Sequence, residues 1–185
     1  MKFIKIITAL FFTTLASSAI ATEGYSPTQS SDKLYVATTG DVILTFLFKE
    51  AGFSNNLFLE GSNSLILNNQ TAVPNTQFNL GSFAANTLLT FKMTVTNTGF
   101  SFFTGDASLN PDGFNHALFD KQDGKPLIVG FEDILGGGDK DYNDLVFSLT
   151  NVYSATGPTP VPEPESFAML AAGLLLIRLA KNRKA

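Results

Sequence analysis

The sequence predicts an all-β domain, an antiparallel β-sandwich or jelly-roll-like fold, flanked by an N-terminal signal peptide and a short C-terminal transmembrane helix. Three observations predict it. Between Ser31 and Val152 no stretch carries a convincing helical period, whereas strand signals recur at short intervals. Gly, Asn and Asp cluster between those signals, as turns require. The 185 residues include 18 Phe, no Trp and no Cys, a composition that suits an aromatic core and disfavours collagen-like, coiled-coil and disordered chains.

At the N-terminus, Lys2 and Lys5 precede an apolar stretch from Ile6 to Leu15, and small residues follow, ending Ala19-Ile20-Ala21. A charged start, a short apolar run and an A-x-A pattern predict a secretory signal peptide over residues 1–21, with Ala19 and Ala21 marking the cleavage site. Export gives the missing cysteines a meaning, since a compartment that permits disulfides goes unused.

At the C-terminus, residues 157–165 form a proline-rich spacer that favours extended chain. Residues 166–185 hold an apolar helix, Phe167 to Ala180, and the basic run Lys181-Asn182-Arg183-Lys184. At about 14 residues the helix spans about 21 Å, short of a hydrocarbon core of ~30 Å, and Arg178 interrupts it. Such a segment suits a transient stay in the inner membrane, its basic end held on the cytoplasmic side. Pro162-Glu163-Pro164, the stretch Ala168-Met169-Leu170-Ala171-Ala172-Gly173-Leu174 and the Arg178, Lys181, Arg183, Lys184 cluster together resemble the PEP-CTERM sorting signal of Gram-negative, exopolysaccharide-producing bacteria. That resemblance implies processing by a membrane exosortase and delivery of the domain to the cell surface or extracellular matrix.

Between these ends, residues 22–156 suffice for one domain and not two. Thr87 to Thr96 alternates cleanly, with Leu89, Phe91, Met93 and Val95 on one face. Asp41 to Lys49 is apolar on both faces, as expected of a strand in the middle of a sheet covered on both sides. Further strands are expected at Leu34–Ala37, Phe53–Glu60, Ser64–Leu67, Thr76–Leu80, Thr98–Phe103, Asn115–Asp120, Pro126–Glu132 and Tyr142–Val152.

Charge is unevenly spread. Residues 22–160 carry 14 Asp/Glu against 6 Lys, a net −8, while the remaining basic residues lie in the terminal segments. Phosphate backbones would repel such a domain, so nucleic-acid binding is disfavoured and divalent cations are the natural counter-charge. Nine of the fourteen acids fall between Asp106 and Asp144. Leu127, Val129 and Phe131 share one strand face, which puts Glu132 at the strand end on the other; Leu145, Phe147 and Leu149 share the core face of the returning strand, with Asn143 and Asp144 at its mouth. Gly136-Gly137-Gly138 lets the connection bend through positive φ.

Carboxylates so close repel one another unless a cation lies between them or some are protonated. Ca²⁺ takes oxygen ligands in flexible geometry, whereas Mg²⁺ demands a stricter octahedron, and zinc is disfavoured with no Cys and one His. Asp139, Asp141 and Asn143 resemble the opening of an EF-hand loop, but the loop glycine is missing and Thr150 stands where its bidentate Glu belongs, so an EF-hand is rejected. The residues alone leave a calcium site and a solvated acidic turn both open.

Phe131 to Phe147 carries the whole pattern F-E-D-x-x-G-G-G-D-x-D-Y/F-N-D-x-V/I-F, and Asp112 to Leu118 resembles the segment upstream of it. Over roughly residues 40–150 the chain thereby resembles an extracellular β-sandwich family recorded as a domain of unknown function. That family occurs in PEP-CTERM proteins and in large RTX adhesins, where its relatives are calcium-dependent ligand-binding modules. The resemblance implies Ca²⁺ held by Glu132, Asp133, Asp139, Asp141, Asn143 and Asp144, with Asp106, Asp112 and Asn115 as candidates for a second ion.

Three functions fit. The first is a non-catalytic, calcium-binding surface or matrix protein, adhesin-like, with a peptide or glycan ligand taken through the ion. The second is a secreted hydrolase acting on polysaccharide through paired carboxylates, disfavoured because Trp platforms and a G-x-S-x-G elbow are absent and His116 is the sole histidine. The third is a structural matrix protein without a ligand.

Overall fold

The computed structural model describes Tyr25, Pro27 and residues 32–157. The signal peptide with Ala19 and Ala21, the sorting motif Pro162-Glu163-Pro164 and the C-terminal helix lie outside the described residues. Among those described, twelve strands and a single 3-10 turn (Ala107–Leu109) form, and no α-helix. The strands are β1 (Lys33–Val36), β2 (Gly40–Phe48), β3 (Asn55–Leu59), β4 (Leu65–Asn68), β5 (Gln77–Phe83), β6 (Leu88–Leu89), β7 (Phe91–Val95), β8 (Ser101–Phe103), β9 (Ala117–Asp120), β10 (Leu127–Phe131), β11 (Leu145–Leu149) and β12 (Val152–Ala155).

They make a five-stranded sheet in the order β5-β2-β11-β10-β9, a four-stranded sheet β4-β3-β7-β8 and a three-stranded sheet β12-β1-β6. Neighbouring strands run antiparallel throughout. Phe91 of β7 meets Phe147 of β11 with ring centroids 5.2 Å apart, and residues of all three sheets join one buried cluster. The all-β, antiparallel expectation therefore holds, and the layering is consistent with a sandwich.

Two expected strands divide. Thr87–Thr96 becomes β6, which pairs with β1, and β7, which pairs with β3 and β8. Leu89, Phe91, Met93 and Val95 are all buried, so the side-chain alternation runs unbroken through a change of backbone partner at Thr90 and could not reveal it. Tyr142–Val152 likewise breaks into β11 and β12. The break falls at Asn151, whose φ of 60° reverses the chain and whose side-chain oxygen accepts from the Thr38 amide.

The expectation for β2 is half right. It lies inside the five-stranded sheet between β5 and β11, with Val42, Leu44 and Phe46 buried. Ile43 and Leu47, on the opposite face, are only half-buried, so that face is not fully covered. Part of its cover is Tyr25, packed edge-on against Phe48 at 5.8 Å between centroids.

Candidate metal centre

The acidic segment is the connection between β10 and β11, closed at its base by the Phe131–Leu145 pair. The ladder continues one step beyond the strands. The Glu132 amide donates to the His116 carbonyl (2.9 Å), and the Asp144 amide donates to the Phe131 carbonyl (3.1 Å). Strand parity is as expected: Leu127, Val129, Phe131, Leu145, Phe147 and Leu149 are all buried. Glu132 itself is buried, at 1% exposure.

Glycine is needed here for room as well as for dihedral freedom. Gly138 has φ +48°, and a Cβ on it would stand 2.7 Å from Glu132 Oε2. A Cβ on Gly137, at φ +81°, would run into the Phe114 ring. Lys140 and Tyr142 also take positive φ, which folds the loop back over Glu132.

That fold-back brings carboxylates together. One oxygen each from Glu132, Asp139 and Asp141 lie within 4.8 Å of one another. The Tyr142 amide donates to Glu132 Oε1 (2.6 Å) and fixes the buried carboxylate in place. Asn143 serves this group as a donor: its amide reaches Asp141 Oδ1 at 3.3 Å, and its side chain reaches Asp141 Oδ2 and, at 3.4 Å, Glu50 Oε2. Asp133 and Asp144 lie outside this trio, although the Asp144 charge still acts on Glu132. Asp144 Oδ2 accepts from the Asp133 amide (2.9 Å), and Asp133 Oδ2 accepts from Asn55 Nδ2 (2.7 Å). The six residues taken together in the sequence thus divide into two groups.

Among the described residues no Lys or Arg side chain pairs with them. Among those residues the Lys ion pair is Lys33–Asp106, and the loop's own Lys140 lies over the Phe114 ring, 5.1 Å from its centroid. Burial pushes the Glu132 carboxyl up to about 7, and the charges of Asp144, Asp139 and Asp141 push the same way against the Tyr142 amide. Asp144 also rises to about 7, from burial first and then from the Asp133 and Asp141 charges, against the opposing donation of the Asp133 amide. Oxygen-only donors, concentrated negative charge and a buried carboxylate without a counter-ion form a donor set that fits a hard cation such as Ca²⁺, and Glu132, Asp139 and Asp141 could hold it.

The upstream segment clamps the loop. His116 is fully buried and stacks on Phe102 with centroids 3.7 Å apart. Its Nδ1 donates to the Glu132 carbonyl (2.9 Å), and its Nε2 faces Asp112 Oδ2 (2.9 Å). The same Asp112 oxygen accepts from the Gly136 amide (2.6 Å), which ties the glycine run to β9's approach. Asp106, Asp112 and Asn115, expected around a second ion, are not gathered into one group. Asp106 pairs with Lys33 at 3.0 Å, Asp112 is occupied by His116, Gly136 and Phe114, and Asn115 Oδ1 is buried without a hydrogen-bond partner among the described residues.

Other contributors carry no signal in the sequence. Tyr25 donates its hydroxyl to the Tyr142 carbonyl (2.8 Å), and Gly130 makes room for it, since a Cβ there would strike both that hydroxyl and that carbonyl. Tyr25, Phe48, Glu50, Asp141 and Asn143 line a shallow cavity of about 180 Å³ beside the carboxylates. Asn55 and Asn69, at the β3 and β4 ends, reach the loop from the other sheet.

Neither a curated protein nor a solved structure matches the chain. A family model described as a domain of unknown function, DUF4114, matches residues 53–151, a stretch that runs from the approach to β3 to the end of β11 and contains the whole acidic loop. That match covers more than half of the chain, which therefore belongs to the DUF4114 family.

Proposed function

We propose that the chain is an exported, non-catalytic calcium-binding protein of the cell surface or extracellular matrix, adhesin-like, built on a β-sandwich. In this reading residues 1–21 direct export, and the PEP-CTERM-like end at Pro162-Glu163-Pro164 hands the protein from the inner membrane to an exosortase. Calcium at Glu132, Asp139 and Asp141 locks the β10–β11 connection and offers open coordination positions to a carboxylate or hydroxyls of a peptide or glycan. The observation that carries the reading is the convergence of those three carboxylates within 4.8 Å with no cationic side chain paired to them among the described residues. The shallow cavity beside Asp141, walled by Tyr25 and Phe48, supports a ligand site there, because aromatic faces suit apolar parts of a peptide or sugar.

One calcium site at a free concentration a hundredfold above its dissociation constant adds about 2.7 kcal/mol to the folded state. The test is thermal melting in millimolar Ca²⁺ against chelator, with Asp139→Asn plus Asp141→Asn alongside. Calcium raises the wild-type midpoint and leaves the double variant unmoved. Superimposable wild-type melts refute the proposal.

A further inference from the structure

We propose that β4, β5 and the groove between them form a contact between two copies of this chain, a twofold pair that shares no residue with the acidic loop. The two larger sheets both end at this face. β5 is the outer strand of the five-stranded sheet and β4 that of the four-stranded one, and among the described residues no strand pairs with their free edges. A groove of about 540 Å³ runs between them. Its apolar walls are Leu59, Leu65 and Ile66 on one side and Phe78, Leu80 and Phe83 on the other, and no ionisable side chain lines it. All of these but Leu65 also pack against the buried core, so the groove opens onto the core's own margin. Leu65, at 51% exposure, and Val73 of the β4–β5 connection, at 67%, stand out into solvent. Covering such a face takes apolar surface out of water.

The independent sign is charge. From Gly61 to Phe91 the sequence holds no Asp, Glu, Lys, Arg or His, although residues 22–160 carry a net −8. β4, β5 and their connection all fall within that stretch. Open edges are commonly guarded by charged side chains that repel a second edge, and neither strand carries one. The same pattern selects the occupant. Copies at −8 repel one another across faces that display acids and approach at least cost where none is displayed. A basic protein is drawn instead to the acidic loop, and a charged polysaccharide finds no ionic partner in the groove. A second copy brings an equally neutral apolar surface and equally open edges, and two identical patches match across a twofold axis. The acid that borders β5, Asp41 of β2, accepts from Asn79 Nδ2 (2.9 Å), which leaves the groove itself neutral. β5 is interrupted at Gly81 (φ 102°), near the shift in its register against β2. Such an interruption blunts strand-on-strand growth and favours a closed pair over a ribbon.

Thiol cross-linking tests this cleanly, because the chain has no cysteine of its own. Ser64→Cys, Ser82→Cys and, on the β9–β10 turn, Asp123→Cys are each made in the full chain and treated with a bismaleimide at equal concentration, with sedimentation velocity alongside. All three positions are exposed. The two thiols on the β4–β5 face give cross-linked dimer several-fold faster than the thiol at position 123, and the unmodified chain sediments as a dimer. Adding Leu65→Glu, which sets an unpaired charge in the contact, weakens the pair about tenfold or more. Equal cross-linking at all three positions, or no response to Leu65→Glu, overturns the proposal. A chain that sediments as a monomer with its thiols unlinked also overturns it and leaves the groove to an extended peptide of another protein. Should Leu65→Glu not fold, the contrast between Ser82→Cys and Asp123→Cys decides by itself.

Discussion

Replacing Glu132 by Gln reverses the sign of its effect on stability according to whether calcium is present. Glu132 is buried, and burial together with three neighbouring carboxylates raises its pKa from 4.5 to about 7. A carboxyl whose pKa is raised by folding favours the native state while protonated. Its contribution is complete below about pH 4.5 and lost by the time pH exceeds about 7. At about 1.36 kcal/mol per pH unit, ionised Glu132 costs the calcium-free protein on the order of 3 kcal/mol at mildly alkaline pH. Glutamine has the same shape, can still accept from the Tyr142 amide and never ionises. The Glu132→Gln protein should therefore melt higher than wild type in chelator at about pH 8, by up to ~10 °C for a domain of this size. Near pH 4 the two should melt together. In saturating calcium the wild type gains the binding energy and the variant, one ligand short, does not, so the gap closes or inverts. Scanning calorimetry at two pH values, with and without calcium, reads all four conditions. A variant that melts below the wild type in alkaline chelator would refute the electrostatic account of this loop.

Two further perturbations probe the frame around the carboxylates. Gly130→Ala drives a methyl group into the Tyr142 carbonyl and the Tyr25 hydroxyl, and should destabilise the fold by about 1–3 kcal/mol in chemical denaturation; an unchanged midpoint would mean that neither group packs over Gly130. For Asp112, burial raises the pKa but is outweighed by the Gly136 amide, His116 and the Phe114 amide, which together bring it from 3.8 down to about 2. Its stabilisation is thus present above about pH 3.8 and lost as pH falls to about 2, and Asp112→Asn should remove that acid-dependent part of the stability curve measured by denaturant titration.

What the sequence makes legible is whatever alternation or spacing can encode. The core faces of β7, β10 and β11 follow from period-two patterning, and the glycine run between two acidic strand ends locates the loop. The handover at Thr90 is invisible because side chains alternate straight through it while hydrogen-bond partners change. The division of the acids is invisible for a related reason. Glu132 and Asp133 are chain neighbours, and their separation depends on Asn55 and Tyr142, one from a distant strand and the other from a backbone amide in a left-handed turn. His116 shows no pattern at all; its part comes from two hydrogen bonds and a stacked ring that only tertiary packing supplies.

The pairing of β1 with β12, and of β2 with β11, bears on how the chain is made. A polypeptide emerging from its N-terminus presents β1 and β2 first, yet one partner of each, β12 and β11, follows about a hundred residues later. Until then β2 offers an open hydrogen-bonding edge beside β5, a template for misjoining with another nascent chain. The segment that ends this exposure is β11, and the carboxylates stand immediately before it. Under the proposed calcium reading, an ion captured there would act just before β11 closes that edge, and its supply would set when the newborn domain becomes safe from its neighbours.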